Sequence, residues 1–251
     1  MPAPWLSVVV PVRDEEASLE PLHRELDAAL ASVAGGSELL FVDDGSRDAS
    51  LARLLDIAQK DPRVRVLELD GRYGQTAALD AGFHAARGEV VVTLDADLQN
   101  DPAEIPKLLA RLDDADVVNG VRTERRDDWL RRASSRIANA VRNRATRESV
   151  TDVGCSLRAM RVEYLRRVKL YRGMHRFLPT LLRLEGARVV EVPVSHRPRR
   201  HGASKYGIRD RLWAGLADLL AVRWMQSRAL RYGVRERDDP SRACSTIRQR
   251  S

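Results

Sequence analysis

Three oxygen-bearing side chains, Asp95, Asp97 and Gln99, stand at alternate positions in the segment VVVTLDADLQ, residues 90–99. Hard oxygens gathered at one point suit Mg²⁺ or Mn²⁺, ions that also accept phosphate oxygens from a substrate. Asp-x-Asp alone is a weak motif, shared with any solvated acidic turn. The run before it adds weight. Val90, Val91, Val92, Thr93 and Leu94 read as a buried strand, apolar on both faces as in a parallel sheet. Alternate side chains of a strand point the same way, so the three oxygens are expected to converge at the strand's carboxyl end.

A second chemistry lies in residues 196–206, HRPRRHGASKY. Arg199, Arg200, Ser204 and Lys205 offer forked, hydroxyl and point-charge donors to a phosphate around the hinge of Gly202. Nucleic acid is the competing partner for any basic run. Aromatic residues make up only 5% of the chain and none forms a stacking platform in this loop, so no nucleic acid is expected. The charge is split along the 251 residues. Residues 1–120 carry 11 Lys+Arg against 23 Asp+Glu, and residues 121–251 carry 32 against 13, within a total of +7. An acidic, metal-binding half facing a basic, anion-handling half fits that division.

The elements that must position these groups follow from hydrophobic pattern. Residues 6–10 form an apolar strand stopped by Pro11, and residues 38–42 form another ending in Asp43, Asp44, Gly45 and Ser46. Leu19, Leu22, Leu26 and Leu30 mark the helix between them. Ser46 is placed to cap the next helix, through Leu51, Leu54, Leu55 and Ala58. Residues 64–69 make a strand, 74–86 a helix, 103–112 a helix and 116–121 a strand, with a late strand at 189–194. Strand and helix alternate at the spacing of a mostly parallel, doubly wound α/β sheet. Ligands of such sheets lie beyond the carboxyl ends of the strands, where the acidic segments fall. No glycine-rich dinucleotide or P-loop signature occurs, so phosphates would be held by metal and arginine.

Residues 125–147 read as an arginine-dense helical insertion, and residues 235–251 as a disordered basic tail. The organisation expected is a catalytic domain over 1–208, an amphipathic, membrane-interface helix over 209–232 and a tail over 233–251. In that helix Trp213, Leu216, Leu220 and Trp224 share one face. Cys155 and Cys244 have no metal-ligand or disulfide spacing. No signal peptide and no spanning helix are read, which makes the cytoplasm the expected location.

Four segments in order, SVVVPVRDEE (7–16), VDDGSRD (42–48), TLDADLQNDP (93–102) and RRHGASKYG (199–207), resemble the inverting family 2 glycosyltransferases of the GT-A fold. The nearest resemblance is to the polyprenyl-phosphate glycosyltransferases typified by dolichol-phosphate mannose synthase, and DVGCSLR (152–158) and MHRFLP (174–179) match further landmarks. The resemblance implies that Pro11, Arg13 and Glu15 line the nucleotide pocket, with Asp43 and Asp44 near the base and ribose. It makes Asp95, Asp97 and Gln99 ligands of the metal and sugar nucleotide. Arg122, Arg132 and Ser135 fall where the family handles donor and acceptor phosphates, and Arg199, Ser204 and Lys205 in its phosphate-gripping loop. Asp14 stands where the family usually has Asn, and Ser156-Leu157 where it has Gly-Phe.

The implied reaction moves a hexose, with GDP-mannose the favoured donor, from a nucleoside diphosphate sugar to a polyprenyl phosphate with inversion. Such an acceptor is already anionic and needs no strong general base. The implied setting is the inner face of a membrane, reached peripherally or through a separate anchor protein. One rival is a transferase using a UDP-sugar and a sugar hydroxyl, which would need a carboxylate base, and Asp152 is the candidate. The other is a non-catalytic adaptor, against which the intact Asp95, Asp97 and Gln99 argue.

Overall fold

The computed structural model describes residues 3–123, 151, 152, 154–198 and 208–230, with the backbone alone for 208–216. Seven strands form one sheet in the order β3-β2-β1-β4-β6-β5-β7. They are β1 (Leu6–Val12), β2 (Ser37–Asp43), β3 (Val64–Glu68), β4 (Val90–Thr93), β5 (Val117–Arg122), β6 (Arg158–Arg161) and β7 (Val189–Val194). β1 runs parallel to β2 and β4, β2 to β3, and β5 to β7. β6 is antiparallel to both β4 and β5 and so joins two parallel halves. The expected sheet is therefore present in its mostly parallel form, with one reversed strand.

Both faces of β1 and β4 are buried, as their continuous β-branched runs require. On one face, Leu19, Leu22 and Leu26 of α1 (Glu16–Leu30) and Leu54 and Ile57 of α2 (Ser50–Lys60) cover Val8, Val10, Leu39 and Phe41. On the other, α3 (Gln75–Ala85) lies over Val9, Leu40, Val42 and Val91. Gly82 permits this approach, since a Cβ there would strike Val9. α4 (Ile105–Leu109) belongs to the first face, while α5 (Val162–Leu165) and α6 (Leu178–Leu184) close the second. α7 (Ile208–Arg228) is held by Leu219 and Val222 against Met174, Phe177 and Leu181.

Several boundaries differ from the sequence reading, each for a local reason. β1 continues through Pro11 to Val12. The Leu94 N–H donates to Val9 O, and Pro11, two residues on, turns its missing N–H to the same side, past the last residue of β4. Ser46 does not cap α2, which starts at Ser50 without a side-chain cap. Its hydroxyl is used by Asp43 and by the Asp14 N–H instead. The 103–112 helix is a 3₁₀ turn, Pro102–Glu104, followed by the short α4. β4 stops at Thr93, so Asp95, Asp97 and Gln99 lie in a turn and not on a strand.

Candidate active site

The strand order reverses between β1 and β4, the place where open α/β sheets bind ligands. A cavity of about 170 Å³ opens there, walled by Pro11, Gln75, Asp95, Arg158, His175 and Arg176 among others. At the neighbouring strand ends, carboxylates organise backbone turns. Asp43 accepts from the N–H and hydroxyl of Ser46. Asp44 accepts from the N–H groups of Tyr73 and Gly74, drawing the turn after β3 onto the end of β2. The approach is close enough that a Cβ on Gly45, at φ +65°, would lie 3.1 Å from the Gly71 carbonyl carbon. Arg13 donates to the carbonyl of Asp44 at 2.7 Å, and the Glu15 N–H donates to Ser50 Oγ. Pro11, Arg13, Glu15, Asp43 and Asp44 are thus gathered at neighbouring strand ends, with both aspartates acting as loop pins. Asp14 takes φ +49°, a conformation that Asn and Asp adopt more readily than other side chains. The exchange of Asn for Asp at this position keeps that capacity.

The acidic turn differs from the expected row of three ligands. Asp95 Oδ1 accepts from Gln75 Nε2 at 2.7 Å, and Asp97 Oδ1 accepts from the Gln99 N–H at 3.2 Å. Leu98 between them sits at φ +61° with its side chain buried. A bulky residue there costs about 1–3 kcal/mol and marks a turn fixed by its surroundings. The Gln99 side chain turns to His196 Nε2 and Arg197 O, at 3.4 and 3.5 Å. A turn, and not strand alternation, therefore positions Asp95, Asp97 and Gln99. Among the described residues no group of three or more His, Cys, Asp or Glu side chains forms a cage for a metal. Two carboxylates on one turn still fit Mg²⁺ or Mn²⁺, which are bound by one or two carboxylates plus phosphates and water.

The back wall comes from residues whose roles the sequence did not disclose. Arg158, on β6, is fully buried and donates to Asn119 Oδ1 and to the carbonyl of His175. Burial pushes its pKa down. His175 is pushed down to about 3, first by burial and then by Arg176 and Arg158, so its ring is neutral at physiological pH. Its Nδ1 meets Thr76 Oγ1 at 2.7 Å, and the same hydroxyl accepts the Gly173 N–H. Ser156 ties this wall to β4 and the acidic turn. Its carbonyl accepts from Thr93 Oγ1 and its hydroxyl from Asn100 Nδ2, a bond that glycine could not make. Burial pushes the Cys155 thiol up to about 11, which leaves it without thiolate character. Arg158 and His175 lie inside segments recognised as family landmarks, but only the fold sets them against Gln75 and Asp95.

Arg122, at the end of β5, is clamped by Asp152. Its Nε donates to Oδ2 at 2.6 Å and its Nη2 to Oδ1 at 2.8 Å. Oδ2 also accepts the Arg122 N–H, and Oδ1 the Gly154 N–H. Four donors on one carboxylate fill its lone-pair sites. Gly154 lines the cavity, and a Cβ there would collide with Arg122 Nη2, so the clamp borders the site directly.

The root of the basic loop is fastened to the acidic turn. The Arg197 N–H donates to Gln99 O, and its guanidinium bridges Glu25 of α1 and Asp101, each at 2.7 Å. Ser195 donates to Glu104 through both N–H and hydroxyl. Arg132, Ser135, Arg199, Ser204 and Lys205 lie outside the described residues.

The model described as Glycosyl transferase family 2 matches residues 7–169. An Undecaprenyl-phosphate 4-deoxy-4-formamido-L-arabinose transferase of Edwardsiella ictaluri is 42% identical over 206 residues, 81% of this chain and 63% of that protein. A Dodecaprenyl-phosphate galacturonate synthase of Rhizobium johnstonii is 40% identical over 223 residues, 86% of this chain and 66% of that protein. The chain thus spans just under two thirds of the length of these curated relatives. A mannosyltransferase from Pyrobaculum calidifontis, solved with GDP-Man and Mn²⁺, superposes with a TM-score of 0.65 at 20% identity, over 87% of this chain and 63% of that one. A glucosyl-3-phosphoglycerate synthase from Mycobacterium tuberculosis, solved with Mn²⁺, UDP and phosphoglyceric acid, gives 0.65 at 22% identity, over 91% and 80%. These two share the fold.

Proposed function

Because the chain belongs to glycosyl transferase family 2, we propose that it transfers a sugar from a nucleoside diphosphate sugar to a polyprenyl phosphate, with inversion at the anomeric carbon. An acceptor phosphate oxygen forms the new bond to that carbon, and the nucleoside diphosphate departs with the electron pair of the bond that breaks. Asp152 is the observation that carries this reading. A sugar-hydroxyl acceptor needs a carboxylate to take its proton, yet all four lone-pair sites of Asp152 are engaged by Arg122 and Gly154. A phosphate acceptor needs no such group. The relatives with 40–42% identity, whose names carry undecaprenyl- and dodecaprenyl-phosphate, support the same acceptor class.

In this reading Asp95 and Asp97 would hold Mg²⁺ or Mn²⁺, which would supply positive charge to balance the leaving diphosphate. Gln99 serves the loop root beside them. Arg13, Glu15, Asp43 and Asp44 shape the nucleotide end, and Arg122, set by Asp152, faces phosphate. Arg132, Ser135, Arg199, Ser204 and Lys205 complete the phosphate contacts. The sugar occupies the cavity walled by Gln75, Arg158 and His175, whose neutral ring hydrogen-bonds without adding charge. The names of the relatives carry formamido-arabinose and galacturonate, which draws the donor sugar away from mannose.

No helix among the described residues is long and apolar enough to cross a membrane. We place the chain at the membrane surface through the outer face of α7, where Leu220 and Trp224 stand exposed, while Leu219 and Val222 hold the inner face to the domain. The side chains of Trp213 and Leu216, expected on the same outer face, lie outside the described residues. A panel of radiolabelled nucleoside diphosphate sugars, each offered with a short-chain polyprenyl phosphate and Mn²⁺, tests the reaction. The expected result is label in the lipid product with one donor class. No lipid product with any donor would overturn the reading.

A further inference from the structure

We propose that the cleft between the turn at residues 70–74 and the turn at 169–173 docks the anionic headgroups of a bilayer, as a second membrane contact beside α7. The cleft holds about 340 Å³ and is lined by Arg72, Tyr73, Thr76, Tyr171 and Arg172, with Asp80 at one side. Tyr73 is 54% exposed and Tyr171 48%. Lys169 adds a third cation, with Nζ 5.8 Å from the centre of the Tyr171 ring.

The distribution of exposed apolar groups selects this face. Among the described residues, the large hydrophobic side chains that stand exposed are Leu55, Tyr73, Tyr171, Leu220, Trp224 and Leu230. Leu55, on α2, lies on the other side of the sheet. The remaining five belong to the two turns, α7 and the residues just after it, and these pieces touch. Leu170 lines the cleft and also packs on the cluster that seats Leu219 and Val222 of α7. Gly173, at φ +86°, has Asp218 of α7 against it so closely that a Cβ would lie 2.6 Å from Oδ2. Arginine beside amphipathic aromatic rings is the composition that settles at the headgroup level.

The position of the cleft gives the contact a purpose, which rests on the transfer reaction proposed above. Thr76 lines the cleft, and its hydroxyl meets His175, which lines the sugar cavity. Cleft and cavity are therefore back to back, and headgroups held in one set the other at the depth of a lipid phosphate.

The test is flotation of the full chain with vesicles that contain neither polyprenyl phosphate nor donor. Phosphatidylcholine alone is compared with phosphatidylcholine mixed with phosphatidylglycerol, at low and moderate salt. The parent should bind the mixed vesicles more tightly, and less so as salt rises. Arg72→Gln with Arg172→Gln should lower partitioning into mixed vesicles about twenty-five-fold, roughly fivefold per arginine. Arg72→Lys with Arg172→Lys should retain most of it and confirm that the substituted surface folds. Tyr73→Ser with Tyr171→Ser should weaken binding to both vesicle types. Partitioning of the double Gln variant equal to the parent's would overturn the proposal. So would displacement of the parent from vesicles by millimolar glycerol phosphate at constant ionic strength, which would make the cleft a soluble-anion site. Transfer to a short, water-soluble prenyl phosphate should be the same in the parent and the double Gln variant. Absent transfer in both, with the vesicle difference intact, would count against the reaction and leave the docking site standing.

Discussion

The carboxylates at the ends of β1, β2 and β4 and the arginines of the second half of the chain are held in different ways. Asp43, Asp44 and Asp97 accept from backbone N–H groups, Asp43 and Asp97 within their own turns and Asp44 from the turn after β3. Arg122, Arg158 and Arg197 donate to side chains on other elements, namely Asp152, Asn119, Glu25 and Asp101. Backbone donors fix the first region, Asp43 and Asp97 within their own turns and Asp44 through the neighbouring one. The second is correct only when distant parts of the sheet have assembled. A change in the acidic turns should therefore alter chemistry and spare the fold, whereas a change in the arginine clamps should cost stability as well.

Asp97→Asn should break the acidic side most cleanly, lowering transfer on the order of a hundredfold or more, the scale of losing one electrostatic stabiliser. The amide oxygen can still accept the Gln99 N–H, so the thermal midpoint should stay near the parent's. Full activity of this variant, or of the parent in EDTA, would remove the metal from the account. On the other side, Asp152→Ala leaves Arg122 without its clamp. Removing one partner of a buried ion pair costs about 3–5 kcal/mol. At about 2–4 °C per kcal/mol for a chain of this size, the thermal midpoint should drop by at least about 6 °C. A midpoint equal to the parent's would show the two regions to be built alike.

Arg197→Ala sharpens the contrast where the two regions meet. Freed from Glu25 and Asp101, the loop root should shift, and kcat should fall roughly tenfold to a hundredfold with little change in donor KM. Arg197→Lys keeps one ion pair and should recover part of the loss. A change in KM alone would count against positioning.

The smallest effect concerns acid. Asp61, hydrogen-bonded first by Arg63 and also by His23, has its pKa held well below the ordinary carboxylate value. A depressed carboxylate stabilises the fold fully above its unfolded pKa, about 3.9, and the gain is lost as pH falls below that. His175 acts in the same direction over a higher interval. It stays neutral in the fold down to about pH 3 and is protonated in the unfolded chain below about 6.5. Urea midpoints should hold from pH 8 to about 6.5 and decline below. Asp61→Asn should flatten only the lowest part of that decline, and an unchanged slope there would dismiss the ion pair.

The sequence was most readable where information is local. The β-branched runs at Val8–Val10 and Val90–Val92 and the leucine stripe of α1 mark buried elements by composition and period, and their order fixes the carboxyl ends where the acidic groups stand. The turn at Asp95–Gln99 was not legible as a turn because its shape depends on Leu98 at positive φ and on Gln99 reaching residues nearly a hundred positions away. The β6 strand was hidden by its length of four residues and by a charged residue at each end. Arg158 and His175 stand in segments that match family landmarks, but their roles emerge only when β5 supplies Asn119 and α3 supplies Thr76.

The central claim is that the acceptor is a phosphate and that no residue has to take a proton from it. The most direct measurement offers one accepted donor, at neutral pH, to a short polyprenyl phosphate and to the polyprenol of the same chain length. The account expects labelled product from the phosphate and none above background from the alcohol. Comparable transfer to the alcohol, or to a sugar hydroxyl in place of either lipid, would contradict it.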